Sequence, residues 1–325
     1  MKKVLVTGGC GFIGSNFIKH LWGEGNYELI LNYDKLTYAG NRENLKSVET
    51  NCRGYKFVQG DICDKNKVNW TIISNRIDYV VNFAAESHVD RSIENPEDFI
   101  RTNVEGTRVL LDAALKKGVK KFIQIGTDEV YGSLNENSPS SKETDSVNPR
   151  SPYSASKLAA DVLALSYFHT YALPVCVTRS SNNYGPFQFP EKLIPLFITN
   201  IFEGRKVPVY GKGENIRDWL FVVDNCIAIK DVMNYGKIGE IYNIGGGNEL
   251  RNIDLTKKIL KKMGYDESMI EFVKDRKGHD IRYSLNCGKI ERKLDWWPST
   301  DFETGIQETI KWYKENEDWW RKLKK

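Results

Sequence analysis

Cysteine is scarce in this chain and histidine scarcer, with six of the one and four of the other among 325 residues. Cys10, Cys52, Cys63, Cys176, Cys226 and Cys287 are scattered, with no CxxC. That spacing gives neither a zinc site nor a disulfide framework, so no metal is expected, and a cytoplasmic chain with reduced thiols is. Long hydrophobic runs are also missing; the longest fall far short of a membrane span. Met1-Lys2-Lys3 passes straight into an apolar strand pattern, which is unlike a secretion signal. Neither sign of charge dominates. Lys and Arg number 47 against 43 Asp and Glu, a net +4 that is interspersed and argues against a nucleic-acid partner. No internal repeat or low-complexity segment stands out. What remains is a composition 40% hydrophobic and 28% charged, long enough for one large core or two lobes.

The amino terminus carries the first positive signal. Lys3 to Thr7 reads as a strand, followed at once by Gly8-Gly-Cys-Gly11-Phe12-Ile13-Gly14 and an amphipathic helix from about Ser15 to Trp22. Gly8, Gly11 and Gly14 fall as GxxGxxG. They allow a tight turn, close approach of the backbone to a pyrophosphate, and close packing of helix on strand. The helix N-terminus then offers free N–H groups and the positive end of its dipole to phosphates. A second strand, Glu28 to Tyr33, ends at Asp34, about twenty residues past the last glycine, as this fingerprint requires. A carboxylate there accepts from a ribose 2′-OH and repels a 2′-phosphate, so NAD is expected rather than NADP. Lys35 beside it softens that preference slightly. Two more strand ends join the same sheet. Tyr55 to Gln59 leads to Asp61 and Ile62, placed to touch an adenine ring. Asp78 to Phe83 leads to the small Ala84 and Ala85, and on to His88, a candidate substrate contact.

The chemistry is concentrated in two stretches. Val119 to Ile125 is a short apolar run that reads as a buried strand, with Gly126-Thr127-Asp128-Glu129-Val-Tyr-Gly132 directly after it. Ligands of open α/β sheets sit at the carboxyl ends of strands, where Thr127, Asp128 and Glu129 fall. Ser151 to Tyr171 reads as a helix, so Tyr153 and Lys157 share one face at i,i+4. An ammonium beside a phenol favours the phenolate and should lower the Tyr153 pKa. Tyr153 is therefore a candidate base for a hydroxyl whose carbon gives up hydride, with Thr127 bonding to the same oxygen. Oxidation needs only those three residues. Asp128 and Glu129 add an acid and a base beyond it. Close carboxylates resist ionising together, so one pKa should be raised. Neighbouring strand residues point to opposite faces, so both carboxylates reach one substrate only if the strand ends at Thr127.

Strand and helix alternate from Lys3 to about Arg179, the pattern of an α/β fold with a doubly wound parallel sheet. Glu97 to Lys117 reads as one long helix and Pro174 to Thr178 as a buried strand. Beyond Asn182 glycine and proline become frequent and short elements take over, which reads as a smaller C-terminal lobe over the sheet's carboxyl edge. The expected division is 1–180 for the cofactor domain and 181–325 for the substrate lobe. A helix from Phe221 to Asn234 and a strand from Ile241 to Ile244, within 218–245, are expected to return to the first domain. Lys192, Arg217, Arg276, His279 and Arg282 are cations suited to a diphosphate. Asn182, Asn183 and Asn252 offer amide contacts, and Tyr210 could stack on a base. The pairs Trp296-Trp297 and Trp319-Trp320 read as packing anchors.

Taken together, these residues resemble the extended short-chain dehydrogenase/reductase superfamily and, within it, closely resemble the dTDP-glucose 4,6-dehydratases. The matching segments are TGGCGFIGSNF (Thr7 to Phe17), YDKLTYAGN (Tyr33 to Asn41), AAESHVDRSI (Ala84 to Ile93), TDEVYG (Thr127 to Gly132) and SPYSASK (Ser151 to Lys157). They continue with SNNYGPFQFPEKLIP (Ser181 to Pro195), RDWLFVVD (Arg217 to Asp224) and GHD (Gly278 to Asp280). Gly126 stands where many members carry serine, and Lys277 where proline is usual.

The resemblance implies a Rossmann sheet and assigns roles. Phe12, Ile13, Asp34, Lys35, Leu36, Thr37, Asp61, Ile62, Ala84, Ala85, Thr102, Tyr153, Lys157 and Asn183 would contact NAD. His88, Thr127, Asn182, Lys192, Leu193, Pro208, Val209, Tyr210, Arg217, Asn252, Asp275, Arg276, Lys277, Gly278 and His279 would line the sugar-nucleotide site. It implies a homodimer through a bundle of Glu97–Lys117 with Pro152–Tyr171. It also implies a lyase reaction on dTDP-glucose: oxidation at C4 with Tyr153 as base, proton removal from C5 by Glu129, loss of water from C6 with Asp128 as acid, and hydride return to C6. The alternatives are a 4,6-dehydratase for another nucleotide base, a UDP-glucuronate decarboxylase, a 4-epimerase, or an NAD-binding regulator without activity.

Overall fold

The computed structural model describes residues 1–275 and 278–324. Its main sheet has seven strands in the order β10-β6-β5-β4-β1-β2-β3. They are β1 (Lys2–Thr7), β2 (Tyr27–Asp34), β3 (Tyr55–Gln59), β4 (Tyr79–Asn82), β5 (Lys121–Thr127), β6 (Val175–Ser180) and β10 (Ile241–Ile244). Every pairing among them is parallel. Five shorter strands, β7 (Asn182–Tyr184), β8 (Val207–Tyr210), β9 (Ile216–Phe221), β11 (Glu249–Arg251) and β12 (Ile270–Val273), form a three-stranded and a two-stranded sheet beside it.

A parallel sheet is covered on both faces, so its strands are apolar on both sides through their middle and divide their side chains by alternation. Val4 and Val6 of β1 face one buried cluster with Phe17, Ile18 and Leu21 of the helix Phe12–Glu24 and Ile229 and Val232 of the helix Val222–Tyr235. Leu5, between them, faces the other cluster with Val80, Phe122, Leu110, Leu111 and Ala164. A third cluster, including Tyr184, Ile198, Trp219, Leu255, Tyr313 and Trp320, packs the C-terminal elements.

The register aligns the carboxyl ends. Thr7 lies opposite Tyr33 on one side and Asn82 on the other, Asn82 opposite Gln124, and Thr127 opposite Ser180. A buried polar ladder ties this edge together: Thr7 Oγ1 donates to Asn82 Oδ1 at 2.6 Å, and Asn82 Nδ2 to Gln124 Oε1 at 2.9 Å.

Three expectations need adjustment. The strand expected at Val119 to Ile125 runs instead from Lys121 to Thr127, because Gly118 takes a left-handed cap that closes the preceding helix. The single helix expected over Glu97 to Lys117 contains a π-helical stretch, Ile100–Gly106. Such wide turns cluster at functional sites. Here the stretch holds Asn103 with its amide exchanging two bonds with the Glu86 backbone, at 2.8 and 3.1 Å. Trp296, Trp319 and Trp320 are buried, but Trp297 is 54% exposed.

The glycine turn after β1 is close to the limit of compactness. A Cβ on Gly14 would lie 2.4 Å from the Gly8 carbonyl oxygen and 2.9 Å from Gly9 Cα. Gly14→Ala must push the helix off the strand, and such overpacking costs about 1–3 kcal/mol. Urea unfolding should show that loss; an unchanged midpoint would mean the turn has slack.

Candidate active site

A cavity of about 340 Å³ opens along the aligned carboxyl ends of β1, β2, β4, β5 and β6. At one end stands the glycine turn. Gly8 has φ +66°, and a Cβ there would meet Ala84 N at 2.7 Å, so glycine is what lets this turn lie against the end of β4. The helix Phe12–Glu24 begins at Gly11 with no side-chain cap, leaving its first N–H groups for a ligand. Asp34 is buried, and its carboxylate is aimed by two backbone donors, Cys10 N at 2.9 Å and Leu36 N at 2.8 Å. Lys35 turns from it to pair with Asp61 at 2.9 Å, so its ammonium is not presented to a 2′-phosphate. An uncapped helix start, a turn that admits no side chain and an aimed carboxylate fit a dinucleotide with a free 2′-OH.

Gly8, Gly11, Phe12, Ile13, Gly14, Asp34, Lys35, Thr37, Asp61, Ile62, Ala84, Ala85, Thr102, Tyr153, Lys157 and Asn183 all line the cavity. Leu36 does not; its φ of 60° turns the chain, and its N–H serves Asp34.

The reactive groups meet at the end of β5. That strand stops at Thr127, and Asp128–Tyr131 winds into a 3₁₀ turn. Thr127 Oγ1 caps the turn by accepting from Glu129 N at 3.3 Å and bonds Asp128 Oδ1 at 3.2 Å. The condition for both carboxylates to serve one cavity is met, and both line it with Tyr153 and Lys157. Asp128 is 4% exposed, and its Oδ2 has no hydrogen-bond partner among the described residues. Burial first, and then the nearby Glu129 charge, push its pKa up to about 8. One carboxyl is thus raised as expected, although desolvation outweighs the like charge.

The expected lowering of Tyr153 is not found. Desolvation, and then the Glu129 charge, raise the phenol well above its usual value, while a bond from Thr127 opposes them. The Lys157 ammonium does not bring it down; it donates to the Ile125 carbonyl at 2.5 Å. Lys157 itself is lowered to about 8 by burial, opposed by the charge of Asp161.

The expected sugar-nucleotide residues fall into two groups. Thr127, Asn182 and Lys192 line the cavity. His88 sits just outside it, capping the helix Val89–Glu94 with its ring 3.7 Å from Glu191. Leu193 starts the next helix, packed against the third cluster. Val209 is buried and Pro208 half-buried in β8, while Tyr210 meets the His279 ring edge-on at 6.2 Å. His279 bonds Asp275 at 2.7 Å, and Gly278 is exposed beside it. Asn252 is buried, and its Oδ1 has no hydrogen-bond partner among the described residues. Arg217 connects the groups: it donates to the Asp280 carbonyl at 3.0 Å, stacks over Tyr283 at 4.4 Å, and its charge bears on Asp128. Arg276 and Lys277 lie outside the described residues. Arg282, also expected to face a diphosphate, is engaged by a carboxylate. It grips Glu249 through two bonds, at 2.5 and 2.9 Å.

Sequence reasoning missed Glu86, Gln188 and Glu191, which line the cavity from loops without a periodic signature. It also missed Asp161, which i,i+4 spacing from Lys157 could have revealed.

The chain belongs to the family whose model is described as GDP-mannose 4,6 dehydratase, matched over residues 5–309. Within it, the chain is similar to dTDP-glucose 4,6-dehydratases. It is 50% identical to that of Streptomyces antibioticus, over 99% of this chain and 96% of the relative. The crystal structure of DesIV (dTDP-glucose 4,6-dehydratase) from Streptomyces venezuelae with NAD and TYD bound superposes with a TM-score of 0.96 at 47% identity, covering 99% of this chain and all of that one. UDP-glucose 4-epimerase from Thermotoga maritima also superposes, with a TM-score of 0.90 at 31% identity over 97% of this chain and 99% of its own.

Two predictions follow from this geometry. Asp34→Ala removes an aimed acceptor, so NAD should bind roughly tenfold or more weakly, the scale of a hydrogen bond to a charged group. Calorimetric titration measures it, and tighter binding of NADP than NAD by the unmutated protein would contradict the role. The second concerns pH. Folding raises the Asp128 pKa, so its contribution to stability is full below about pH 4 and drains away as pH rises toward 8. Asn cannot ionise. Asp128→Asn should therefore gain stability over the unmutated protein between pH 5 and pH 8, by up to a few kcal/mol, and gain no more above that. Urea midpoints at pH 5 and pH 9 compare the two; equal differences at both would mean Asp128 titrates normally.

Proposed function

We infer that the chain is an NAD-dependent dTDP-glucose 4,6-dehydratase, yielding dTDP-4-keto-6-deoxyglucose. The observation that carries this reading is the consecutive pair Asp128 and Glu129, with Asp128 held in its acid form, beside Thr127, Tyr153 and Lys157. Bound NAD supplies the hydride acceptor for C4 and the donor for C6.

The protein's own groups account for the proton movements. Tyr153 receives the C4 hydroxyl proton, with Thr127 orienting that oxygen. A phenol raised by desolvation is a strong base once ionised, and Lys157 contributes the positive charge that offsets the phenolate. The new ketone acidifies the C5 hydrogen, which Glu129 removes. Asp128, protonated at neutral pH, donates to the C6 hydroxyl and water leaves, and Glu129 returns a proton to C5 when hydride is delivered to C6. Adjacent carboxyls in unequal surroundings divide into acid and base, as elsewhere in enzyme chemistry. An epimerase uses no such pair, so the likeness to the Thermotoga enzyme speaks for shared scaffold rather than shared reaction. A decarboxylase would need a further cation for its substrate's extra carboxylate.

We read 1–180 as the NAD-binding domain and 181–325 as the sugar-nucleotide lobe, with 218–245 returning to the first; the third apolar cluster supports that division. His88, Asn182, Lys192, Leu193, Arg217, Asn252, Pro208 to Tyr210 and Asp275 to His279 would take the nucleotide and sugar, with Arg217 nearest the chemistry. A homodimer through Glu97–Lys117 and Pro152–Tyr171 is supported by Ile100, Val162 and Tyr171, apolar and 52, 54 and 55% exposed on those helices. No helix among the described residues is long and apolar enough to cross a membrane. The six cysteines, all free thiols, suit a cytoplasmic setting.

Glu129→Gln separates oxidation from elimination. It should still reduce bound NAD⁺, seen by absorbance, while water loss falls about a hundredfold or more, the usual contribution of a general base. With the unmutated protein, deuterium at C4 of the substrate should appear at C6 of the product. Deuterium retained at C4 with inverted configuration would mean epimerisation, and dehydration by Glu129→Gln at the normal rate would remove that residue from the mechanism.

A further inference from the structure

One helical turn past Lys157 stands a carboxylate that the reaction above does not use. Tyr153, Lys157 and Asp161 follow at i, i+4 and i+8, on one face of the helix Pro152–Tyr171. Asp161 is fully buried. Its Oδ2 accepts from Arg179 Nε at 3.0 Å, while Oδ1 has no hydrogen-bond partner among the described residues. Arg179, on β6, is itself buried, with its guanidinium 4.9 Å over the Tyr131 ring. β5 contributes space. A Cβ on Gly126 would stand 2.8 and 3.0 Å from the two carboxylate oxygens, so the missing side chain lets Asp161 abut the strand. Lys157 donates to Ile125, the residue before that glycine. Ammonium and carboxylate thus lie against consecutive residues of β5, Ile125 and Gly126.

We propose that Asp161 is a positioning residue whose buried charge, oriented by Arg179 and admitted by Gly126, holds Lys157 as the ammonium that Tyr153 requires. The proposal rests on the dehydratase reading only in taking Tyr153 and Lys157 as its base pair. Burial works against both charges. It lowers Lys157 to about 8, with Asp161 as the charge opposing that fall. It raises Asp161, with Arg179 and then Lys157 pulling it back. The other ionisable groups around this face, among the described residues, include Tyr153 on the same helix, Asp128, Glu129 and Tyr131 after β5, and Arg179 on β6. Asp128 is largely neutral at pH 7, the Glu129 charge acts on the Tyr153 phenol, and Arg179 is bonded to Asp161. A purely structural Asp161–Arg179 pair would stabilise the fold and leave Lys157 indifferent to it.

The test uses Asp161→Asn, nearly the same shape without the charge. Lys157 should lose its proton at lower pH by about one unit or more, the usual effect of losing a close opposite charge. Nuclear magnetic resonance of ¹³Cε-lysine-labelled protein reads this directly, with the signal assigned by Lys157→Met. In stopped-flow reduction of bound NAD⁺ by dTDP-glucose, the alkaline limb should move down by the same amount. At pH 8 the rate should fall about fivefold or more with KM unchanged, and Asp161→Glu should restore most of it. Asp161→Asn also leaves Arg179 buried without its partner. The double variant Asp161→Asn, Arg179→Gln removes both charges and should show the same shift if the single one folds poorly. A Lys157 titration and alkaline limb that stay in place, with only the unfolding midpoint lowered, would overturn the proposal. If the unmutated protein forms no bound NADH from dTDP-glucose, the dehydratase reading fails instead, and the lysine titration still decides the role of Asp161.

Discussion

Everything at this site depends on where β5 stops being a strand. Through Thr127 the backbone is extended, and side chains alternate between the faces of the sheet. Had the strand continued two residues further, Asp128 and Glu129 would point apart. Instead the Thr127 hydroxyl accepts from the Glu129 amide and starts a 3₁₀ turn. Gly132 closes that turn at φ +81°, where a Cβ would strike the Asn148 carbonyl at 2.3 Å. One hydroxyl bond and one left-handed glycine therefore bring two consecutive carboxyls to a common cavity.

The second constraint is dielectric. The same burial that makes β5 a central strand surrounds the reacting groups with protein and drives each toward its neutral form. Asp128 goes up, Lys157 goes down, and Tyr153 goes up. For Asp128 the displacement is useful, since an acid must hold its proton until it is needed. For Lys157 it is a liability, since the neutral amine cannot stabilise a phenolate. The lysine has a buried countercharge, Asp161, one turn away, which matches the need.

The scaffold was legible in the sequence because its signals are local. The glycine turn, the acid ending β2, the apolar β-runs and the i,i+4 spacing of Tyr153 and Lys157 are each written within a few residues. The limits were equally physical. The π-helical stretch around Asn103 leaves no mark on a helical pattern, and the Glu86 backbone that Asn103 bonds lies elsewhere in the chain. Glu86 and Glu191 reach the cavity from loops. Arg282 looked like a phosphate ligand from its charge, but Glu249, 33 positions away, already holds it. The direction of the Tyr153 shift was misjudged because sequence shows neighbours along a helix, not how much water is left around them.

Scaffold and reaction separate cleanly here. A chain that superposes on both a dehydratase and an epimerase contains, in its sheet and glycine turn, nothing that selects between them. In the roles proposed for them, Tyr153, Lys157 and Thr127 would serve any oxidation at a sugar carbon, so they do not select either. Selection begins with the transient ketone. Once C4 is oxidised, the C5 proton becomes acidic, and the outcome depends on what faces C5 and C6. A surface without acid or base there leaves the ketone only the return of hydride to C4. A base at C5 and a protonated acid at C6 open elimination instead, and the hydride then has a new carbon to return to. On the proposed reading, the commitment to dehydration resides in two side chains and in the burial that keeps one of them protonated.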